Sequence, residues 1–179
     1  MTILAISGSL RKSSYNTALA LSLSELVPEG MAVTVADIAG IPLYNGDIEA
    51  AAFPPPAQAF KDAILAADAI VIATPEYNRS VPGVLKNAID WASRPYGKNA
   101  FARKPVLVTG VSTGKIGTAI AQNHLRGILL YLDAQVLGQP ELYLGPAKEI
   151  FDEEGNLADE PTRERLREAL TALASRLSA

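Results

Sequence analysis

The sequence contains no cysteine. Disulfides, thiol nucleophiles and cysteine metal sites are therefore excluded. It has a single histidine, His124, too few for a multi-histidine metal centre within one chain. An excess of charge is missing too: 16 basic and 19 acidic residues leave a net charge of -3. That balance gives no support to binding nucleic acid or an anionic membrane through overall charge. No apolar run approaches the ~18 residues of a membrane helix. No leader precedes the first apolar run, so the cytoplasm is the expected compartment. Apolar residues, by contrast, are abundant. A hydrophobic fraction of 49% in 179 residues can build a sizeable core, and the length suits one domain spanning 1–179.

Short apolar runs alternate with helical patterns along the chain. Thr2–Ser7, Met31–Ala36, Asp68–Ala73 and Lys104–Gly110 read as strands. Ala134–Leu137 gives a last short strand, with a second segment at Leu142–Leu144 as an option. Asp68–Ala73 is apolar throughout after its first residue, as expected of a central parallel strand covered on both faces. Helical spacing marks Thr17–Leu26, Ala57–Ala67, a helix beginning near Pro82, Thr118–Leu132 and a final helix from Pro161. The apolar surface of 118–132 is broad, which suggests a core or an interface. The stretch 37–56, with Pro42, Asn45-Gly46-Asp47 and Pro54-Pro55-Pro56, reads as irregular. A loop that long suggests a lid or an interface. The alternation implies an α/β fold, a doubly wound five-stranded parallel sheet covered on both sides; in a 2-1-3-4-5 strand order, strands 1, 3 and 4 are neighbours.

Ligands of such sheets bind at the carboxyl ends of the strands, beside the topological switch point. Three small-residue loops fall there: Gly8–Asn16, Thr74–Ser80 and Val111–Gly117. The first joins a strand to a helix N-terminus, where unpaired backbone N–H groups favour a phosphate. Ser9, Ser13 and Ser14 add hydroxyls, Arg11 adds a forked cation, and Ser14 or Asn16 caps the helix. The loop has neither the Gly-x-Gly-x-x-Gly of dinucleotide folds nor the Gly-Lys-Ser/Thr of nucleotide triphosphatases. A terminal phosphate monoester is the remaining ligand, against the plain alternative of an ordinary turn.

The chain resembles a known family through Gly8-Ser9-Leu10-Arg11 to Asn16, Thr74-Pro75-Glu76-Tyr77-Asn78, and Ser80-Val81-Pro82-Gly83-Val84-Leu85-Lys86-Asn87-Ala88-Ile89-Asp90-Trp91. These segments look like those of NAD(P)H-dependent FMN reductases, which include soluble quinone and chromate reductases with a flavodoxin-like fold. The resemblance implies a noncovalent FMN with NADPH or NADH as donor. It places the FMN phosphate against Ser9, Arg11, Ser14 and Asn16. It places the ring against Pro75, Glu76, Tyr77 and Asn78, with Ser112, Thr113 and Gly114 on the other flank. It also implies a homodimer or homotetramer. Implied acceptors are quinones, free flavin, azo compounds and metal oxyanions such as chromate. No side chain needs to be catalytic, because the flavin carries the chemistry.

Several residues stay open at this point. Glu76 is either a solvated loop carboxylate or a salt-bridge partner across subunits, with Arg126 as a candidate. Lys86, Asn87 and Asp90 read as helix surface or interface, Trp91 as packing, His124 as structural or interfacial, and Lys115 as solvated. Two other functions compete: a one-electron carrier, which the modest net charge disfavours, and a sensor that binds FMN without turnover.

Overall fold

The computed structural model describes residues 1–177. The expected domain end, Ala179, lies outside the described residues. Strand β1 (Thr2–Ser7) pairs in parallel with β2 (Ala32–Ala36) on one side and β3 (Ala69–Ala73) on the other. Next come β4 (Pro105–Val111) and β5 (Gln135–Val136), giving the order β2-β1-β3-β4-β5. This is the flavodoxin-like order expected from the sequence. The last strand comes in two pieces: β6 (Leu142–Leu144) pairs with Thr109–Val111 of β4, beyond the Pro105–Val106 stretch that β5 covers. Pro140 lies in the gap, and proline has no N–H to give to a ladder.

The sheet has a core on each face because its central strands are apolar in both directions. In β1, Ile3 and Ala5 face one core while Leu4 and Ile6 face the other. In β3, Val71 opposes Ile70 and Ile72 in the same way. Helices α1 (Tyr15–Ser22) and α7 (Glu160–Ser175) cover the first face with Leu19, Leu166 and Leu170. Helices α3 (Pro55–Ala66), α4 (Gly83–Ala92) and α5 (Ala119–Tyr131) cover the second with Phe60, Leu85, Leu125 and Leu129. Each such side chain, fully withdrawn from water, contributes roughly 1.5–3 kcal/mol. The breadth of α5's apolar surface is divided. Leu125 and Leu129 are fully buried, while Ile120 and Leu130 remain 38% and 64% exposed.

The stretch 37–56 is not irregular throughout, contrary to expectation. It contains helix α2 (Gly46–Ala51), and Asn45 Oδ1 caps it by accepting from Asp47 N at 2.8 Å. The signal that reads as a turn, Asn-Gly-Asp, is a helix start. The segment is fastened to α4. Asn87 Oδ1 accepts from Tyr44 N at 2.8 Å, and Asn87 Nδ2 and Trp91 Nε1 both donate to Pro42 O, at 2.9 and 2.8 Å. Trp91 is fully buried, with the Tyr44 and Phe53 rings each 5.1 Å away edge-on. Asn87, expected on the surface, is thus a clip that satisfies the backbone of a loop far away in sequence.

Candidate active site

Close backbone approach brings the carboxyl ends of β1, β3 and β4 together. Gly8 N donates to Ala73 O at 2.9 Å. A Cβ on Gly8 would meet Leu85 Cδ2 at 3.0 Å and Pro75 Cδ at 3.1 Å. A Cβ on Gly110 would meet Thr74 O at 2.1 Å. Asn16 then ties the first loop to the third. Its Nδ2 donates to Val111 O at 2.9 Å, and its Oδ1 accepts from Val111 N at 3.0 Å. The carboxamide expected on a phosphate thus spends one hydrogen and one lone pair on β4 and keeps one of each.

The first loop is held by short-range bonds. Ser9 Oγ accepts from Arg11 N at 3.2 Å, Ser14 N donates to Arg11 O at 3.1 Å, and Ser14 Oγ caps α1 by accepting from Thr17 N at 3.4 Å. Both hydroxyls act as acceptors here, so each keeps its hydrogen for a ligand. Both are nearly buried, Ser9 at 8% and Ser14 at 5% exposure. The Arg11 guanidinium meets no carboxylate among the described residues; its carbon lies 5.9 Å from the centre of the Tyr15 ring. A helix N-terminus, two poised hydroxyls and a free guanidinium suit a phosphate monoester.

The second loop is built differently. Tyr77 and Ser80 exchange backbone hydrogen bonds of 3.2 and 3.0 Å across a tight turn. Both residues inside the turn are left-handed, Asn78 at φ 51° and Arg79 at φ 61°. Asparagine tolerates that region; arginine is strained there. Glu76 holds the turn in place. Its side chain is only 8% exposed. Oε2 accepts from the N–H groups of Ile120 and Ala121, at 3.0 and 3.1 Å, and Oε1 accepts from Arg79 at 3.1 Å. Glu76 is therefore not a solvated carboxylate, and within its own chain it is not bonded to Arg126. It caps the N-terminus of α5 within its own chain, where a negative charge complements the helix dipole. Arg126 instead donates to Leu137 O at 2.6 Å. Pro75 is buried beneath the turn, and Tyr77 stands half exposed beside it at 50%. His124 Nδ1 lies 3.1 Å from Ser80 Oγ, so the histidine braces the same turn from α5.

The third loop closes on itself. Ser112 Oγ donates to Gly114 O at 2.8 Å and accepts from Gly117 N at 3.2 Å. Thr113, Gly114 and Lys115 are exposed. Gly117 has φ +61°, and a Cβ there would meet the Tyr143 carbonyl carbon at 2.4 Å, so only glycine fits. The structure thus gathers the expected residues of all three loops at one end of the sheet. Sequence reasoning missed the Glu76 cap and the Asn87 clip. The only local signal for Glu76 was its i,i+3 spacing to Arg79.

A flavodoxin-like sheet, a phosphate-suited first loop and a half-exposed aromatic across the switch point define a flavin-nucleotide protein. Known proteins give the particular family. Residues 1–149 match the model of the NADPH-dependent FMN reductases, and the chain belongs to that family. An NAD(P)H-dependent FMN reductase of Pseudomonas aeruginosa is 51% identical over 171 residues, 96% of this chain and 92% of that protein. A 2-hydroxy-1,4-benzoquinone reductase of a Burkholderia species is 48% identical, over 93% of this chain and 90% of its own length. Among solved structures, FerB, a flavoenzyme NAD(P)H:(acceptor) oxidoreductase of Paracoccus denitrificans, superposes with a TM-score of 0.90 at 39% identity. That match covers 99% of this chain and 97% of FerB. The protein is an NAD(P)H-dependent oxidoreductase that works with FMN.

Proposed function

We propose that the protein holds FMN across its three loops and passes two electrons from NAD(P)H to a quinone. The observation that carries this is the arrangement of the loops. Ser9, Ser14 and Arg11 keep unspent donors at one end of the site, and Tyr77 stands half exposed at the other. Arg11 and the two hydroxyls take the phosphate, with the remaining Asn16 hydrogen available to it. Pro75, Glu76, Tyr77 and Asn78 seat one side of the ring, Tyr77 giving it an aromatic contact. Ser112, Thr113 and Gly114 border the other side. FMN, when bound, accepts hydride from the nicotinamide and returns two electrons to the acceptor. The chain's own part is orientation and exclusion of water. Glu76 is committed to α5 and Arg79, and the loops carry no cysteine or histidine. No acid–base pair is assembled, and hydride transfer requires none.

A quinone, NAD(P)H and a proton then give the quinol and NAD(P)⁺, in two half-reactions at one site. Double-reciprocal plots should be parallel. Anaerobic NADH or NADPH should bleach the purified yellow protein, and benzoquinone should restore the colour. A flavin that neither donor bleaches overturns the reading in favour of a non-catalytic FMN binder. Azo compounds, free flavin and chromate belong in the same acceptor assay.

The reading includes a homodimer or homotetramer. The sequence points to α5 as the shared face, but Leu129 is fully buried and belongs to the core. Leu130 and Tyr131, 64% and 85% exposed, are the side chains α5 offers to a partner. Light scattering should give a mass above one chain for the wild type and a lower mass for Leu130→Glu with Tyr131→Glu.

A further inference from the structure

A cavity of about 980 Å³ opens between α1 and the turn Phe151–Leu157. It is large enough for a nucleotide. No residue of Thr74–Ser80 or Ser112–Gly114 lines it, so it is not the seat of the flavin ring. Its lip is Arg11–Ser14, the same stretch the proposed function assigns to the FMN phosphate. The cavity and the flavin site therefore share a rim.

The charges in the cavity divide into spent and unspent groups. Arg163 and Glu25 neutralise each other at 3.2 Å, and Arg163 also meets Glu160 at 3.4 Å. Asp152 is occupied by Asn156, whose N and Nδ2 donate to it at 2.7 and 3.0 Å. Lys12 and Lys148 form no ion pair among the described residues, and both are exposed. They leave unspent positive charge along the wall, beside the free carboxylates of Glu153 and Glu154. Tyr15 and Phe151 add an aromatic wall, ring centres 5.4 Å apart. Phosphate acceptors, an exocyclic amine and a flat heterocycle are the groups that cations, carboxylates and aromatic rings respectively recognise.

We propose that this cavity takes the adenosine end of NADPH, with Lys12 and Lys148 reading its 2′-phosphate. The inference rests on the NAD(P)H-dependent reading above. A donor whose nicotinamide reaches the flavin ring must lodge its second nucleotide within one pyrophosphate link of that site. This cavity borders it at Arg11–Ser14. NADPH is then preferred over NADH, since only NADPH carries the phosphate the lysines address.

The test is calorimetric titration of 2′,5′-ADP, 5′-AMP and inorganic phosphate into the FMN-loaded protein and its Lys12→Glu and Lys148→Glu variants. Both positions are exposed, so the variants are expected to fold. We expect 2′,5′-ADP to bind more tightly than either other probe and each variant to weaken it about tenfold. In turnover, Lys148→Glu should raise the KM for NADPH similarly while kcat and the KM for NADH hold. No binding of 2′,5′-ADP, or equal binding by wild type and both variants, overturns the inference. So does inorganic phosphate binding as tightly as 2′,5′-ADP. Binding only to flavin-free protein reassigns the cavity to the flavin's own phosphate and also overturns it. A protein that oxidises neither nicotinamide nucleotide would remove the underlying reading. Normal turnover with NADPH kinetics indifferent to both lysines would remove this inference alone.

Discussion

The first and second loops serve the same proposed ligand but are held by different means. Gly8–Ser14 is fixed by neighbours: Ser9 to Arg11, Arg11 to Ser14, Ser14 to Thr17. Its backbone has no left-handed residue. Thr74–Ser80 contains two, and its main support is Glu76 reaching α5 across 44 residues of chain. Between its long-range ties at Gly8 and Asn16, the first loop is therefore shaped by bonds to its own neighbours. The second holds its shape only while the rest of the fold holds it, as expected where strain sits beside a site.

The most severe break attacks the backbone contact on which the second loop rests. An alanine Cβ at Gly110 would stand 2.1 Å from Thr74 O and 2.4 Å from Thr118 Oγ1. The first is main chain and has no room to yield. Gly110→Ala should cost about 3 kcal/mol or more, read by chemical denaturation or by loss of soluble protein. Wild-type stability would mean that the strand ends can separate.

Glu76→Ala should fall next and should separate the loops. It removes an N-cap and leaves α5's first N–H groups without their acceptor, at a cost of about 1–2 kcal/mol. For a chain of this size the thermal midpoint should drop by roughly 3–6 °C. FMN affinity should fall with it, because the ring-side turn loses its anchor, and Glu76→Gln should recover part of both. Arg11→Ala should do the opposite. A charge-assisted bond lost to the phosphate weakens FMN about tenfold, while the midpoint stays where it was. If Glu76→Ala leaves FMN affinity unchanged, or Arg11→Ala lowers stability as much, the contrast between the loops is void.

That contrast also explains what was legible in the sequence. The two-faced core and the positions of all three loops followed from periodicity and from small residues at strand ends, and the strand order is that of the flavodoxin-like fold the resemblance implied. Local chemistry was legible as well: Ser14 caps α1, as its place before Tyr15 allowed. What failed to show was long-range. Asn87 and Trp91 fasten Pro42 across more than 40 residues, and nothing in either segment announces the other. The sequence left Glu76 open between a solvated carboxylate and a salt bridge across subunits, because its helix partners are backbone N–H groups, which carry no residue type. Asn16 looked free for a phosphate because its Val111 partner is also backbone. The apolar surface of 118–132 was left open between core and interface because a helix apolar on several sides does not say which side meets the sheet.

The smallest effect tests the strain itself. Arg79 sits at φ 61°, where a side chain costs about 1–2 kcal/mol. Its ion pair with Glu76 offsets little, since the Arg79 side chain is 63% exposed and exposed pairs contribute about 0–1 kcal/mol. Arg79→Ala and Arg79→Gly both remove that pair, so their difference isolates the backbone. Glycine relieves the left-handed strain but gains freedom in the unfolded chain, worth about 0.4–1 kcal/mol. Arg79→Gly should therefore unfold within about 1 kcal/mol of the wild type. Arg79→Ala keeps the strain without the pair and should be the less stable of the two, by up to about 1 kcal/mol. Denaturant titrations of the two variants side by side resolve this order. An alanine variant more stable than the glycine variant would show that position 79 is not left-handed in solution. The turn beside Tyr77 would then be held by the same local means as the first loop.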